Sequence, residues 1–428
     1  MRASRCRGRA GLAATFVALV GLAVACVTPP VDPGTTTTTT STSTSPTLTT
    51  STSTSTTTTV PSAHGAVQVS NGGRTACAVV AAGNVYCWGD NWSGSLGSGT
   101  PSTGLSRATA APVVGIGGIG LLTGATKVSS GSDETVCAIV DDGAVACWGD
   151  NHTGELGNGS TATFSNTPVA VTGLTGATDI SVGFDHVCAV VTGGAVQCWG
   201  NNNYGQLGNG TTALRREPAP VTGIQGATRV SAGKSATCAL LADGSVRCWG
   251  SEQFGQLGNG VYDTFPDGSG RFSTTPVAVI GISDAVDLLL SERNGCAIRA
   301  TEELSCWGFG HVGVFPNSAP YTATPTGYID VSELALLGSD TTACLRRNGT
   351  VQCWGNNPMI VGPPHTLPYY GPPVTISGLS DVVQISGDLE SMSALLSDGT
   401  VMNWGRLMGY GGYTPPSSNV PVAVVGLP

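Results

Sequence analysis

The chain has 428 residues, of which 62 are Gly and 25 Pro; only 11% are charged, and the formal net charge is −9. That acidic balance excludes a nucleic-acid binder working through a basic face, because phosphates must be met by Lys and Arg. Abundant Gly and Pro, with hydroxyls and amides where charges would usually stand, point to short strands joined by turns and make helix the minority element.

Residues 1–25 read as an export signal, with Arg2, Arg5, Arg7 and Arg9 ahead of the apolar run AGLAATFVALVGLAVA. Cys26 follows the small Ala25 and is the expected lipidation site, becoming the mature N-terminus. An ordinary cleaved signal or a retained anchor are the alternatives, although the run is short for a spanning helix. Within residues 26–65, the tract TTTTTTSTSTSPTLTTSTSTSTTTT at 35–59 has one Leu and no aromatic residue. It cannot bury enough surface to fold and reads as a disordered linker of roughly 28 Å root-mean-square span.

From Ala66 the phrase C-A-x-x-x-x-G-x-V-x-C-W-G recurs, marked by Trp88, Trp148, Trp199, Trp249, Trp307, Trp354 and Trp404. The period of about 50 residues announces a repeat architecture. The unit at 167–210 divides into the β-branched runs PVAV, TDISV, HVCAVV and AVQCWG, separated by Gly, Asn and Asp. Residues 66–428 are therefore expected to be all-β, a seven-bladed β-propeller of four-stranded antiparallel blades. CAVV and AVQCW lack clean alternation, so each blade is apolar on both faces and needs a neighbour on each side. GAVQVS at the start and PVAVVGL at the end are consecutive within internal units, so the ring is expected to close where the termini meet.

CWGDNHTGELGNG, CWGNNNYGQLGNG and CWGSEQFGQLGNG resemble the signature of the regulator of chromosome condensation repeats. The resemblance spans about residues 66–428 and implies a seven-bladed propeller. Phe309 and His311 interrupt the fifth copy, and NNPMIVG and RLMGYGG replace the loop in the sixth and seventh. The family implies two activities: guanine-nucleotide exchange on a small GTPase, or, in a secreted branch, inhibition of an enzyme such as a β-lactamase through an aromatic-rich face. Export and the acidic balance argue against exchange.

Apart from Cys6 and Cys26, the cysteines pair by spacing: Cys77 with Cys87, Cys137 with Cys147, Cys188 with Cys198, Cys238 with Cys248, Cys296 with Cys306, and Cys344 with Cys353. In the first five, a three-residue hairpin loop such as ADG at 242–244 puts the pair at a non-hydrogen-bonded site, where side chains approach closest. The sixth copy is one residue shorter and centres on Asn348-Gly349, the preferred two-residue turn, so the same facing pair is kept. Glu302 stands where the fifth copy needs Gly, which predicts a strained or longer turn. Ser393 and Asn403 occupy the cysteine positions of the seventh copy, which should have no bridge. Six structural disulfides in an exported, oxidised protein follow. No C-x-x-C is present to support a zinc site.

No cofactor or metal is expected. GIGGIG at 115–120 fits a dinucleotide pattern, but the repeat explains it as an insertion followed by a strand. SAGKSAT at 231–237 occupies an ordinary inter-strand loop, and Asp150, Asn151 and Glu155 lack the regular ligand series of a calcium loop. The loop before each first cysteine varies while its flanks repeat, making it the candidate binding surface. Arg74, Asp133, Glu134, Phe184, Asp185, His186, Lys234, Arg293, Asp340 and Asp388 stand out there. Tyr262, Phe265, Phe315, Tyr321, Tyr369 and Tyr370 on longer loops form a second candidate surface. The resulting expectation is a monomeric, non-enzymatic module on the cell envelope or outside the cell. It binds an unidentified protein or glycan on one face, and meets the membrane only through its N-terminal lipid.

Overall fold

A computed structural model describes residues 65–101, 106–261, 271–309, 321–337, 342–355, 357–361, 373–389, 391–406 and 417–428. Cys26 and the linker therefore lie outside the described residues, as do Asp340, Tyr262, Phe265, Phe315, Tyr369 and Tyr370.

Seven four-stranded antiparallel sheets form a β-propeller, each sheet made of four strands consecutive in sequence. The blades occupy 66–112, 125–170, 177–220, 227–278, 285–325, 333–375 and 382–423. The sequence phrase is thus offset from the blade: the PVAV run is the outermost strand of one blade, and the TDISV run begins the next at the channel. The innermost strands form a continuous ring in which the first, Ala66–Gly72, lies beside the last, Val382–Asp388. Closure needs no shared sheet. The Ala110 N–H donates to the Val425 carbonyl and the Ala66 N–H to the Gly399 carbonyl, while Val424 and Leu427 pack against the cluster containing Trp88.

Two glycine positions account for the repeated signature. The Gly after each Trp has positive φ, 95° at Gly149 and 103° at Gly200. A Cβ on Gly149 would come within 2.0 Å of the Glu134 carbonyl oxygen, so only Gly permits the loop to cross there. In the G-x-L-G loop the Leu is fully buried in the seam to the next blade, as Leu156, Leu207 and Leu257 show. The following Gly packs on the next blade's indole, whose Nε1–H donates to the preceding carbonyl: Trp148 to Ser95, Trp199 to Glu155, Trp249 to Gln206 and Trp307 to Gln256, at 2.6–2.9 Å. CWG and G-x-L-G are therefore two halves of one inter-blade joint.

All six cysteine pairs are bonded, with Cα–Cα distances of 4.0–4.1 Å that match the narrow, non-hydrogen-bonded pairing site. Gly244 takes its predicted left-handed turn position at φ 80°, and Asn348 and Gly349 are both left-handed at 47° and 73°. The fifth hairpin keeps its three-residue length, so the strained alternative is the one realised, with Glu302 at φ 61°. In the seventh blade Ser393 faces Asn403, and the Asn403 Nδ2 donates to Ser393 Oγ at 3.1 Å where the other blades have a bridge.

GIGGIG forms one short 3-10 turn, Ile116–Gly118, beside an isolated bridge from Val114 to Leu121. Ser231–Thr237 links two strands as expected. Asn151 caps its loop by accepting the Leu156 N–H, and among the described residues no group of three metal-ligating side chains occurs.

Candidate functional site

Strand direction divides the loops between the two ends of the ring. The cysteine hairpin turns and the links between blades lie at one end; the loops after the innermost strands and the G-x-L-G loops lie at the other. At this second end the innermost loops surround the channel mouth.

Two layers of side chains build the channel below the mouth. In the deeper layer stand Gln68, Lys127, Asp179, Arg229, Asp287, Glu333 and Gln384, one from each blade, around a cavity of about 210 Å3. Lys127 pairs with Asp179 and Arg229 with Asp287. Several of these side chains accept a backbone N–H from the next innermost strand: Gln68 from Val128, Asp179 from Val230, Glu333 from Ile385 and Gln384 from Val69, all at 2.8–2.9 Å. Above them Ser70, Ser129, Ser181, Ser231 and Ser386 accept N–H groups in the same sense, from Ser130, Val182, Ala232, Leu290 and Asn71. The inward edge of each blade would otherwise leave those donors unsatisfied, so the polar lining stitches the ring together. Burial pushes the Glu333 carboxyl up to about 7, with the Asp287 charge adding to it against the opposing effect of Arg346.

The mouth holds a second cavity of about 280 Å3, lined among others by Asn71, Ser130, Ser132, Phe184, Lys234, Glu292, Asp388 and Leu389. Lys234 Nζ lies 5.5 Å from the Phe184 ring centroid and 2.9 Å from Glu292 Oε1, so cation–π and ionic contacts fix it together. Arg293 lies 4.8 Å from the Phe254 ring centroid and 4.0 Å from Glu292, and Phe254 meets Phe309 at 6.1 Å. Tyr204 is exposed at the position in its loop equivalent to Phe254. An aromatic and cationic arc thus runs over blades 3 to 5. The carboxyl of Asp388 is crowded even though the residue keeps some surface; loss of water pushes it up to about 6, opposed by hydrogen bonds from Ser132, Leu389 and Gly73.

Phe184, Lys234 and Asp388 therefore line one cavity. Asp133 is exposed, and Arg74 is exposed with a 4.0 Å approach to Asp90. Glu134 has φ 65° and accepts the Ser93 N–H at 3.0 Å, tying blades 1 and 2. Burial, then the charges of Asp150 and Asp185, raise Asp133; burial, then Asp90, raises Glu134. Tyr321 is half-buried beside Gly255.

His186 is not on the face. It is fully buried, with Nε2 2.8 Å from Thr237 Oγ1 and Nδ1 3.7 Å from Asp185 Oδ1. Carboxylate, imidazole and hydroxyl stand in sequence as in a nucleophile triad, but the hydroxyl donates to the Gln206 carbonyl and no substrate can reach it. The group joins blades 3 and 4. Burial tends to raise Asp185, yet the adjacent His186 ring and the hydrogen bond from Asn201 Nδ2 hold it below the usual carboxylate range.

Sequence reasoning missed Asn71, Ser130, Ser132, Glu292 and Leu389. Register offered a signal only for the neighbouring Ser70, Ser129, Ser181, Ser231 and Ser386, which recur at one position of the innermost strands.

A closed propeller with its innermost loops gathered at one mouth defines a repeat-built scaffold with a candidate binding face. Models of the regulator of chromosome condensation (RCC1) repeat match residues 142–190 and 193–240 and, in a second form, 177–206, 227–256 and 333–359, and over these residues the chain carries that repeat. It is 33% identical over 147 residues to the E3 ubiquitin-protein ligase HERC2 of Mus musculus, covering 34% of this chain and 3% of that protein. It is 30% identical over 149 residues to the ultraviolet-B receptor UVR8 of Arabidopsis thaliana, covering 34% and 32%. The chain thus spans less than a third of the length of these relatives. Among solved structures, human WBSCR16 superposes with a TM-score of 0.64 at 20% identity over 80% of this chain and 94% of that one, a likeness of fold.

Proposed function

We propose that this chain is an exported, non-enzymatic binding module, lipid-anchored at Cys26, whose mouth face engages another protein. The observation that carries the reading is the convergence of Phe184, Lys234, Glu292 and Asp388 around one cavity at the loop-bearing end. Aromatic and cationic side chains held on ordered loops are the usual anchors of protein interfaces. The six bonded cysteine pairs suit an oxidising compartment outside the cytosol. The arc of Tyr204, Phe254 and Phe309 spreads aromatic rings across several loops, which suits a protein interface.

The test is capture of exported and envelope proteins by the full-length oxidised chain. A specific protein retained by the wild type and lost from the Phe184→Ala, Lys234→Ala double variant, with its melting temperature unchanged, supports the reading. Retention by that variant, or accelerated nucleotide release from a purified small GTPase, would place the activity elsewhere.

A further inference from the structure

We infer that the mouth receives a lysine side chain from a basic segment of the partner protein, held by Asn71, Ser130 and Asp388. The inference rests on the reading of this face as a protein-binding surface and names the chemistry that the surface selects.

Acceptors without donors come first. Asn71 and Ser130 are 5% and 7% exposed and both line the mouth cavity, yet Asn71 Oδ1 and Ser130 Oγ have no hydrogen-bond partner among the described residues. Their other groups are committed: the Asn71 N–H donates to Ser386 Oγ, its Nδ2 to Ser391 Oγ, and the Ser130 N–H to Ser70 Oγ. A buried polar atom left unpaired costs stability, which an incoming donor would recover once either side chain rotates toward the cavity, since neither oxygen is accessible as it stands. Asp388 supplies the charge. It lines the same cavity and forms no salt bridge among the described residues, while Lys234 on the opposite rim is already paired with Glu292.

The three residues belong to blades 1, 2 and 7, which touch one another here. A Cβ on Gly72 would meet Ser130, one on Gly73 would meet Ser132 and Leu389, and the Gly73 N–H donates to Asp388. Three acceptors from three blades suit an ammonium, a compact charge with three donors, better than a planar guanidinium, which favours one bidentate carboxylate. Leu389 is 40% exposed on the cavity wall and offers apolar contact to a methylene stem. Asp133 and Glu134 on the adjoining loop of blade 2 add negative charge for the approach of a basic segment.

The experiment uses the full oxidised chain and a capped glycine-rich peptide with one central lysine, followed by ligand-observed NMR. The lysine peptide should bind at least tenfold more tightly than its norleucine or Nε-acetyl-lysine counterparts. Ser130→Ala changes no charge and keeps the backbone donor to Ser70, and it should weaken binding about tenfold; Asp388→Asn should weaken it at least as much. Equal binding of lysine and norleucine peptides, or full binding by Ser130→Ala, overturns the inference. So does n-butylammonium binding as tightly as the peptide, which would make a free amine the occupant. If the peptide fails while Phe184→Ala, Lys234→Ala still abolishes partner capture, the lysine anchor falls and the binding face stands; if capture is also unaffected, both fall.

Discussion

Blades 1 to 4 and blade 6 solve the same seam differently. In the first set each loop sends a Leu into the next blade and offers a carbonyl to its indole, as with Leu156 and the bond from Trp199 to Glu155. Between blades 6 and 7 a short helix, Pro358–Val361, takes the loop's place, and its Ile360 is fully buried in the cluster containing Trp404. The Trp404 Nε1–H has no partner among the described residues, and neither has Trp88 at the closing seam. At the seam of blades 6 and 7 the apolar plug survives loss of the loop motif while, among the described residues, the indole hydrogen bond does not. Packing is therefore the essential part of the joint, and the indole bond refines it.

The largest effect should come from the plug itself. Leu207→Ala and Ile360→Ala should each cost about 2 to 5 kcal/mol in urea unfolding, and equal costs would show that the two plugs are equivalent. Unequal costs, with Ile360→Ala nearly neutral, would break the parallel. Replacing Cys188 and Cys198 by Ala should cost about 2 to 3 kcal/mol, read as a lower urea midpoint, because a short loop closed in the unfolded chain is released. The same loss should not appear in blade 7, where the Ser393–Asn403 hydrogen bond is already the substitute. Trp199→Phe should be worse than Trp404→Phe by about 1 kcal/mol, since only the first leaves a buried carbonyl without its donor.

The smallest effect is a pH trend. Glu333 and Asp388 bind protons more tightly when folded, at about 7 and about 6, so their contribution is full below the ordinary carboxylate range and is lost as pH rises through those values. The melting temperature should fall between pH 5 and pH 8, and Glu333→Gln should flatten that fall. An unchanged slope would mean that the channel layer does not titrate in this range.

Blade number, strand number and cysteine pairing were legible because they follow from period and hairpin geometry, and the shortened sixth turn at Asn348-Gly349 was read from spacing alone. The blade boundary was not, because a linear phrase carries no mark of which neighbour a strand will pair with; PVAV joins the sheet before it. The site was legible in part. Variability of the innermost loops located Phe184, Lys234 and Asp388, but could not tell that His186 turns inward to Thr237 whereas Asp133 faces water. Orientation at a loop end depends on the adjoining blade, here on Gly183 and the Thr237 hydroxyl packed against the imidazole.

The direction of the innermost strands has a mechanical consequence. Gly65 enters the ring beside Gly399 at the hairpin-turn end, and the strand from Ala66 runs from there toward the mouth. Any load applied through Gly65 therefore enters the ring at the end opposite the mouth. That load falls on a strand of blade 1 that no disulfide holds, only its pairing with the second strand and its side-chain hydrogen bonds to blades 2 and 7, since every disulfide joins the second and third strands of its own blade. Under tension the ring would begin to open at blade 1, and a partner seated across blades 7, 1 and 2 would resist it as a clasp does.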